Sequence, residues 1–212
     1  MIISNDEKGF PSKWIDYQAQ MKASSANFCG LLGLGSDPGN INRFAARFRV
    51  ANCFKKLELE GYSSNTEIGY SSLCHVFLAW SAFETLLDLK DTKVSSIENS
   101  LKTYRADNSL LQIKTLDVGN KFYNFIHDRV NPTHQKELDK YFQSDPCNIA
   151  YLASAIRHIF AHGWLTPNAN EVDPKIVAEI CRILCEFLVE VMDSEFTLHY
   201  EKAMQELRGD QE

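Results

Sequence analysis

One stretch of the chain gathers groups that could do chemistry: Ser154-Ala-Ile-Arg157-His158-Ile-Phe-Ala161-His162-Gly163-Trp164. A guanidinium stays charged and grips anions, while an imidazole titrates near neutrality and moves protons. Arg157 and His162 have four residues between them. By itself that spacing is weak, since the chain's Arg and His residues would meet by accident roughly 0.7 times at the spacings allowed. Arg129 to His134 is a second instance, but Asn131-Pro132 lies inside it. It reads as the start of an element, not as one rigid helix, and is set aside.

The first instance passes a geometric test. At about 100° per residue, a helix places Arg157 and His162 roughly 140° apart. Ala150, Ser154, His158 and Ala161 fill the arc between them, all small or polar. Ile149, Leu152, Ile156, Ile159, Phe160 and Gly163 fill the other. The apolar arc can face a bundle while Arg157, His158 and His162 project away from it. Small Ala150, Ser154 and Ala161 leave room for something to approach closely. Gly163 ends or loosens the helix beside His162, and a helix C-terminus favours positive charge. The bland alternative is a solvated face that happens to carry Arg and two His.

Glu84 adds a second feature. Phe77, Trp80, Glu84 and Leu87 recur at helical steps, so a carboxylate interrupts an apolar stripe. Buried there it needs a partner, and Arg157 or His162 on a neighbouring helix would serve. Otherwise it lies at the edge of the stripe and reaches water.

The elements that must hold these groups are helices. Ten glycines and six prolines are too few for an all-β chain. The spacing predicts helices over 12–33, 40–60 (closed by Gly61), 65–90, 93–106, 109–129 and 132–143. Ser144-Asp145-Pro146 then predicts a start for a helix through Trp164, and Asp173-Pro174 one for a helix to about Leu207. In the last, Ile176, Ile180, Ile183, Phe187 and Val191 form a core-facing stripe. The expected fold is a single all-α bundle over residues 1–212, mostly antiparallel.

Composition narrows the classes. With 212 residues and 44% apolar content the chain can bury a core. Met1–Lys8 lacks the pattern of a secretion signal, and no apolar stretch approaches the roughly 18 residues of a membrane span. A cytoplasmic protein without a membrane partner is expected. A net charge of −6 means that any nucleic acid must be met by a local patch. The six cysteines read as buried free thiols; no convincing metal-ligand set and no cofactor are expected.

The stretch Arg157-His158-Ile-Phe-Ala161-His162-Gly163 resembles the motif of the HEPN domains, Arg-x4-6-His near the end of an inner helix. Leu78-Ala-Trp-Ser-Ala-Phe-Glu84 is similar to the family's earlier helix, where an acidic residue often supports the motif. The resemblance covers about residues 65–207, with the helices over 12–60 as an N-terminal extension. It implies a helical bundle, a homodimer in which two motif helices meet, and a composite metal-independent ribonuclease site. There the RNA's own 2′-hydroxyl attacks the adjacent phosphate. Arg157 and His162 would be catalytic: His162 a general base or acid, or the group that orients that hydroxyl, and Arg157 a stabiliser of phosphoryl charge. His158, Glu84 and Ser154 would support them. A toxin or defence effector is implied, with a possible antitoxin or other regulatory protein. One position departs from the family: toxins silenced by a nucleotidyltransferase carry a tyrosine where this chain has Trp164.

Two other readings stay open, a non-catalytic HEPN-like module binding nucleotide, RNA or a protein partner, and a helical adaptor without a ligand site. Arg43, Arg47, Arg49, Lys55 and Lys56, interleaved with Phe44, Phe48 and Phe54, could guide RNA or be a solvated face over an aromatic stripe.

Overall fold

The computed structural model describes residues 8–209, the side chains of 24–27 excepted. Met1–Glu7, most of the segment read for a leader, lies outside them. Nine α-helices follow in order among the described residues: α1 (Trp14–Leu31), α2 (Pro38–Cys53), α3 (Ser64–Leu89), α4 (Glu98–Lys102), α5 (Ala106–Leu116), α6 (Lys121–His127), α7 (Pro132–Gln143), α8 (Ile149–Ala161) and α9 (Pro174–Gly209). Among those residues there is no strand. No helix among the described residues is long and apolar enough to cross a membrane.

Capping explains the best-defined starts. The Ser63 hydroxyl accepts from the Thr66 N–H at 3.3 Å to open α3. The Asn131 side chain accepts from the N–H groups of Thr133 and His134, both at 3.1 Å, with Pro132 in the first turn of α7. Asp173 accepts from Lys175 N–H at 2.9 Å ahead of α9. Each satisfies a donor that the first turn leaves without an intrahelical partner.

Other expected boundaries are corrected. Helix α2 stops at Cys53, and Gly61 (φ +83°) turns the chain toward Ser63 without closing α2. Between them the N–H groups of Leu57 and Leu59 donate to the side chains of Ser71 and Glu67 on α3, both at 2.9 Å. The helix expected over 93–106 breaks into a short turn and α4, and Arg105 (φ +60°) separates α4 from α5. The one expected over 109–129 breaks at Gly119 and Asn120. Ser144 (φ +61°) closes α7, and Asn148 opens α8 by accepting from Ala150 N–H at 3.0 Å. Asp145-Pro146 is therefore connector, not helix start.

The core forms around α3 and α9. Leu73, Val76, Trp80 and Phe83 on the one, and Val177, Ile180, Leu184 and Leu188 on the other, are buried. Burying each such side chain contributes on the order of 2 kcal/mol. The pair runs parallel, with Ser72 against Cys181 and Lys90 against Glu195. That departs from the antiparallel expectation, which the flanking helices follow. On α2, Arg47 donates to Thr85 Oγ1 at 2.5 Å and the Ala51 carbonyl meets His75 Nε2 at 2.9 Å. On the α8 side, Asn148 Nδ2 donates to the Val94 carbonyl at 2.7 Å, while Pro167 crosses α3 at Gly69. A Cβ at Gly69 would meet Pro167 Cβ at 2.3 Å, so only glycine lets the chain pass there. Trp14, Tyr17 and Phe44 pack on Phe196 with ring centroids 6.0, 5.8 and 6.1 Å away, so α1 and α2 share the core of α9.

Four of the free cysteines are buried as expected, but Cys74 is half-buried and Cys53 exposed. Burial pushes the thiols of Cys147 and Cys181 up to about 12, which keeps them unreactive.

Candidate functional site

Helix α8 is built as its two arcs require. Ile149, Leu152, Ile156 and Ile159 are buried, Arg157 and His158 half-buried, and His162 exposed. The helix ends by a paired bond pattern: Gly163 N–H donates to the Phe160 carbonyl and Trp164 N–H to that of Ile159, both at 3.0 Å. Gly163 supplies the left-handed residue this ending needs (φ +74°). The turn delivers His162 and Trp164 side by side, ring centroids 5.6 Å apart.

Around that end the polar residues form two groups. His158 lies edge-to-face with His162 at 4.7 Å. Arg157 reaches α3, with Nη2 3.7 Å from Glu84 Oε2 and the guanidinium 5.9 Å from the Phe77 ring centre. Glu84 thus does pair with Arg157, but from the edge of its stripe, since its side chain is 48% exposed. A pair so placed is worth little to stability and exchanges readily with water or an anion.

Ser154 and Ala150 are a correction. The expected space beside them is taken by the chain itself: Ala150 is fully buried, and Ser154 is covered by His134 of α7. Ser154 therefore does not open toward a visitor. The basic residues of α2 are the solvated face over an aromatic stripe. Phe44 and Phe48 are buried, Arg49 lies 4.8 Å from the Phe10 ring centre, and Arg43 donates to Asn40.

His134 is the residue that sequence reasoning passed over. It belongs to the second Arg/His instance, set aside for its proline. Its Nδ1 lies 3.0 Å from Asn131 Oδ1, which already accepts two backbone N–H groups. Nδ1 must then carry the proton, leaving Nε2 to accept from the Ser154 hydroxyl at 2.9 Å. The ring stacks on His158, centroids 6.0 Å apart, so three imidazoles run in a row toward Trp164. The short 144–148 connection held the signal, because a tight helical hairpin sets residues about equally distant from its turn against one another.

The electrostatics of the row are asymmetric. Burial, and then the charge of His158, pushes His134 down to about 4. Burial, then His162 and Arg157, holds His158 below the usual histidine value. A histidine lowered by folding stabilises the fold above its unfolded value near 6.5 and loses that contribution as pH falls toward its folded value. Stability should therefore decline between about pH 6.5 and 4, by on the order of 2 kcal/mol for His134. Urea midpoints measured across that window check this. His75, His158 and His199 are lowered as well and add slope of the same sign, so His134→Leu should reduce the slope without abolishing it, and an unchanged slope would contradict the assignment.

Among the described residues, no group of three or more His, Cys, Asp or Glu side chains is placed to hold a metal ion. Comparison of the chain with protein-family models, with curated proteins and with solved structures finds no match.

Proposed function

We propose that this protein is a metal-independent endoribonuclease of the HEPN type, a cytoplasmic toxin or defence effector that cuts RNA. The observation that supports the reading is the placement of Arg157, His158 and His162 within the last turns of α8, none of them buried, with Glu84 beside Arg157 and His158 beside His162. The RNA's 2′-oxygen attacks the adjacent phosphorus, a bond to phosphorus forms, and the P–O5′ bond breaks. One imidazole takes the 2′ proton and the other returns a proton to the departing 5′-oxygen. His158 and His162 lie close enough for one to act as base and the other as acid on the two ends of the same phosphodiester. Arg157 leaves Glu84 for the phosphate and balances the charge that builds on its oxygens.

In the proposed homodimer the Arg157–His162 stretch of α8 faces its copy across a two-fold axis, with Trp164 outside the seam; the cover of Ser154 by α7 and the burial of Ala150 favour that end of the helix. Light scattering at micromolar concentration should give twice the chain mass; a strictly monomeric protein that cuts RNA would contradict the composite site. A protein partner that silences the enzyme would cover the exposed Trp164 beside that seam.

The test is cleavage of a single-stranded RNA beside the DNA of the same sequence. RNA should be cut and DNA left intact, because only RNA carries the nucleophile. The second reading, a non-catalytic module binding nucleotide, RNA or a partner, is favoured by one observation, the engagement of Arg157 by Glu84. RNA bound and recovered whole would select it.

A further inference from the structure

We propose that Trp164 and Arg129 form a stacking platform for one unpaired nucleobase of single-stranded RNA, next to His162. The inference rests on the ribonuclease reading for what happens to the phosphate, and on separate geometry for the base. Beyond the end of α8 lies an open cleft of about 550 Å³ lined by Phe125, Asp128, Arg129, Val130 and Trp164. Trp164 is 55% exposed, so its ring is open to a second flat group. Arg129 is exposed too, yet anchored: its guanidinium carbon sits 3.7 Å from the Phe125 ring centre, and Nη1 donates to the Phe125 carbonyl at 2.7 Å. Held there on the lining of the cleft, the guanidinium can meet a second flat group.

An indole face and a guanidinium plane on one cleft are the surfaces on which unpaired bases stack. The charges agree on which part of the nucleotide goes where. Asp128, 76% exposed at the rim, repels a phosphate but accepts from the N–H groups of a base edge. The phosphate belongs to the Arg157 and His162 side, and His162 joins the two regions, 5.6 Å from Trp164. A duplex cannot enter, because its bases are already stacked on each other.

The test uses the whole chain and a 2′-O-methyl oligonucleotide of twelve nucleotides, which no 2′-hydroxyl mechanism can cut. Trp14 and Trp80 are 4% and 2% exposed, so Trp164 is the indole that a bound base can reach. The single strand should quench tryptophan fluorescence saturably, and the same sequence as a duplex should not. Trp164→Ala should abolish the quench and weaken binding roughly ten- to a hundredfold, the range for losing one stacked base. Trp164→Phe should keep most of the affinity. Arg129→Lys, which keeps the charge and loses the plane, should weaken binding where a purely electrostatic role would not. Binding by anisotropy without quench, equal affinity in Trp164→Ala, or preference for the duplex would each overturn the platform. Cleavage of ordinary RNA with an unchanged KM in Trp164→Ala would overturn the platform and leave the ribonuclease standing. Quenching by a protein that cuts no RNA would do the reverse.

Discussion

Replacing His162 by Ala should lower RNA cleavage about a hundredfold or more, and Arg157→Ala should do the same, the scale of losing an acid–base group or a charge-stabilising donor. Neither change should unfold the protein. His162 is exposed at the end of α8, and Arg157 makes a half-exposed pair with Glu84. Helix content and oligomeric mass should therefore be retained, and RNA binding by His162→Ala should stay close to wild type. Arg157→Lys should recover little, because a point charge does not reproduce the guanidinium fork on phosphate oxygens. Glu84→Gln should be milder than either, since it frees Arg157 without removing it. Single-turnover rates on one labelled RNA check all four. A His162→Ala protein as fast as wild type would contradict the assignment.

The largest effect on stability should come from Lys90→Met. Glu195 is 8% exposed in the middle of α9, where it accepts from Lys90 at the end of α3 and from the Tyr104 hydroxyl at 2.8 Å. Burial pushes that carboxyl up, but the bonds from Lys90 and Tyr104 outweigh it and leave it below the usual carboxylate value. Removing Lys90 strands a buried charge, at about 3 kcal/mol. Lys90→Met with Glu195→Leu should regain most of that loss, because the stranded charge is then gone. Urea unfolding of the two single variants and the double closes the cycle; additive losses would show that the pair is not coupled. Being lowered, Glu195 stabilises the fold above its unfolded value near 4.5 and is lost below it, a window under that of His134.

What could be read from the residues divides along physical lines. The starts of α7 and α9 were legible because Asn131-Pro132 and Asp173-Pro174 act locally. The apolar arc of α8 was legible because one helix face must be dry. The end of α2 was not, since Lys55-Lys56-Leu-Glu-Leu-Glu60 favours helix, and side chains of α3 take the backbone bonds instead. The break at Arg105 puts an ordinary residue in a left-handed conformation that composition does not announce. At the candidate site, Arg157, His158 and His162 stand out by spacing, helix geometry and family resemblance together, and of the two places and two partners left open for Glu84 the structure gives the stripe's edge and Arg157. His134 was lost because a proline inside its Arg/His interval was taken as disqualifying. That proline starts α7, and the hairpin with α8 supplies the contact that spacing along one helix could not.

The most direct measurement is the end group of the RNA left by the wild-type protein in excess chelator. Cleavage should persist there, and the upstream product should end in a 2′,3′-cyclic phosphate with a 5′-hydroxyl on the downstream one, because the nucleophile is the RNA's own 2′-oxygen and the groups that move protons are side chains. Cleavage abolished by chelator, or products ending in a 3′-hydroxyl and a 5′-phosphate, would contradict the account.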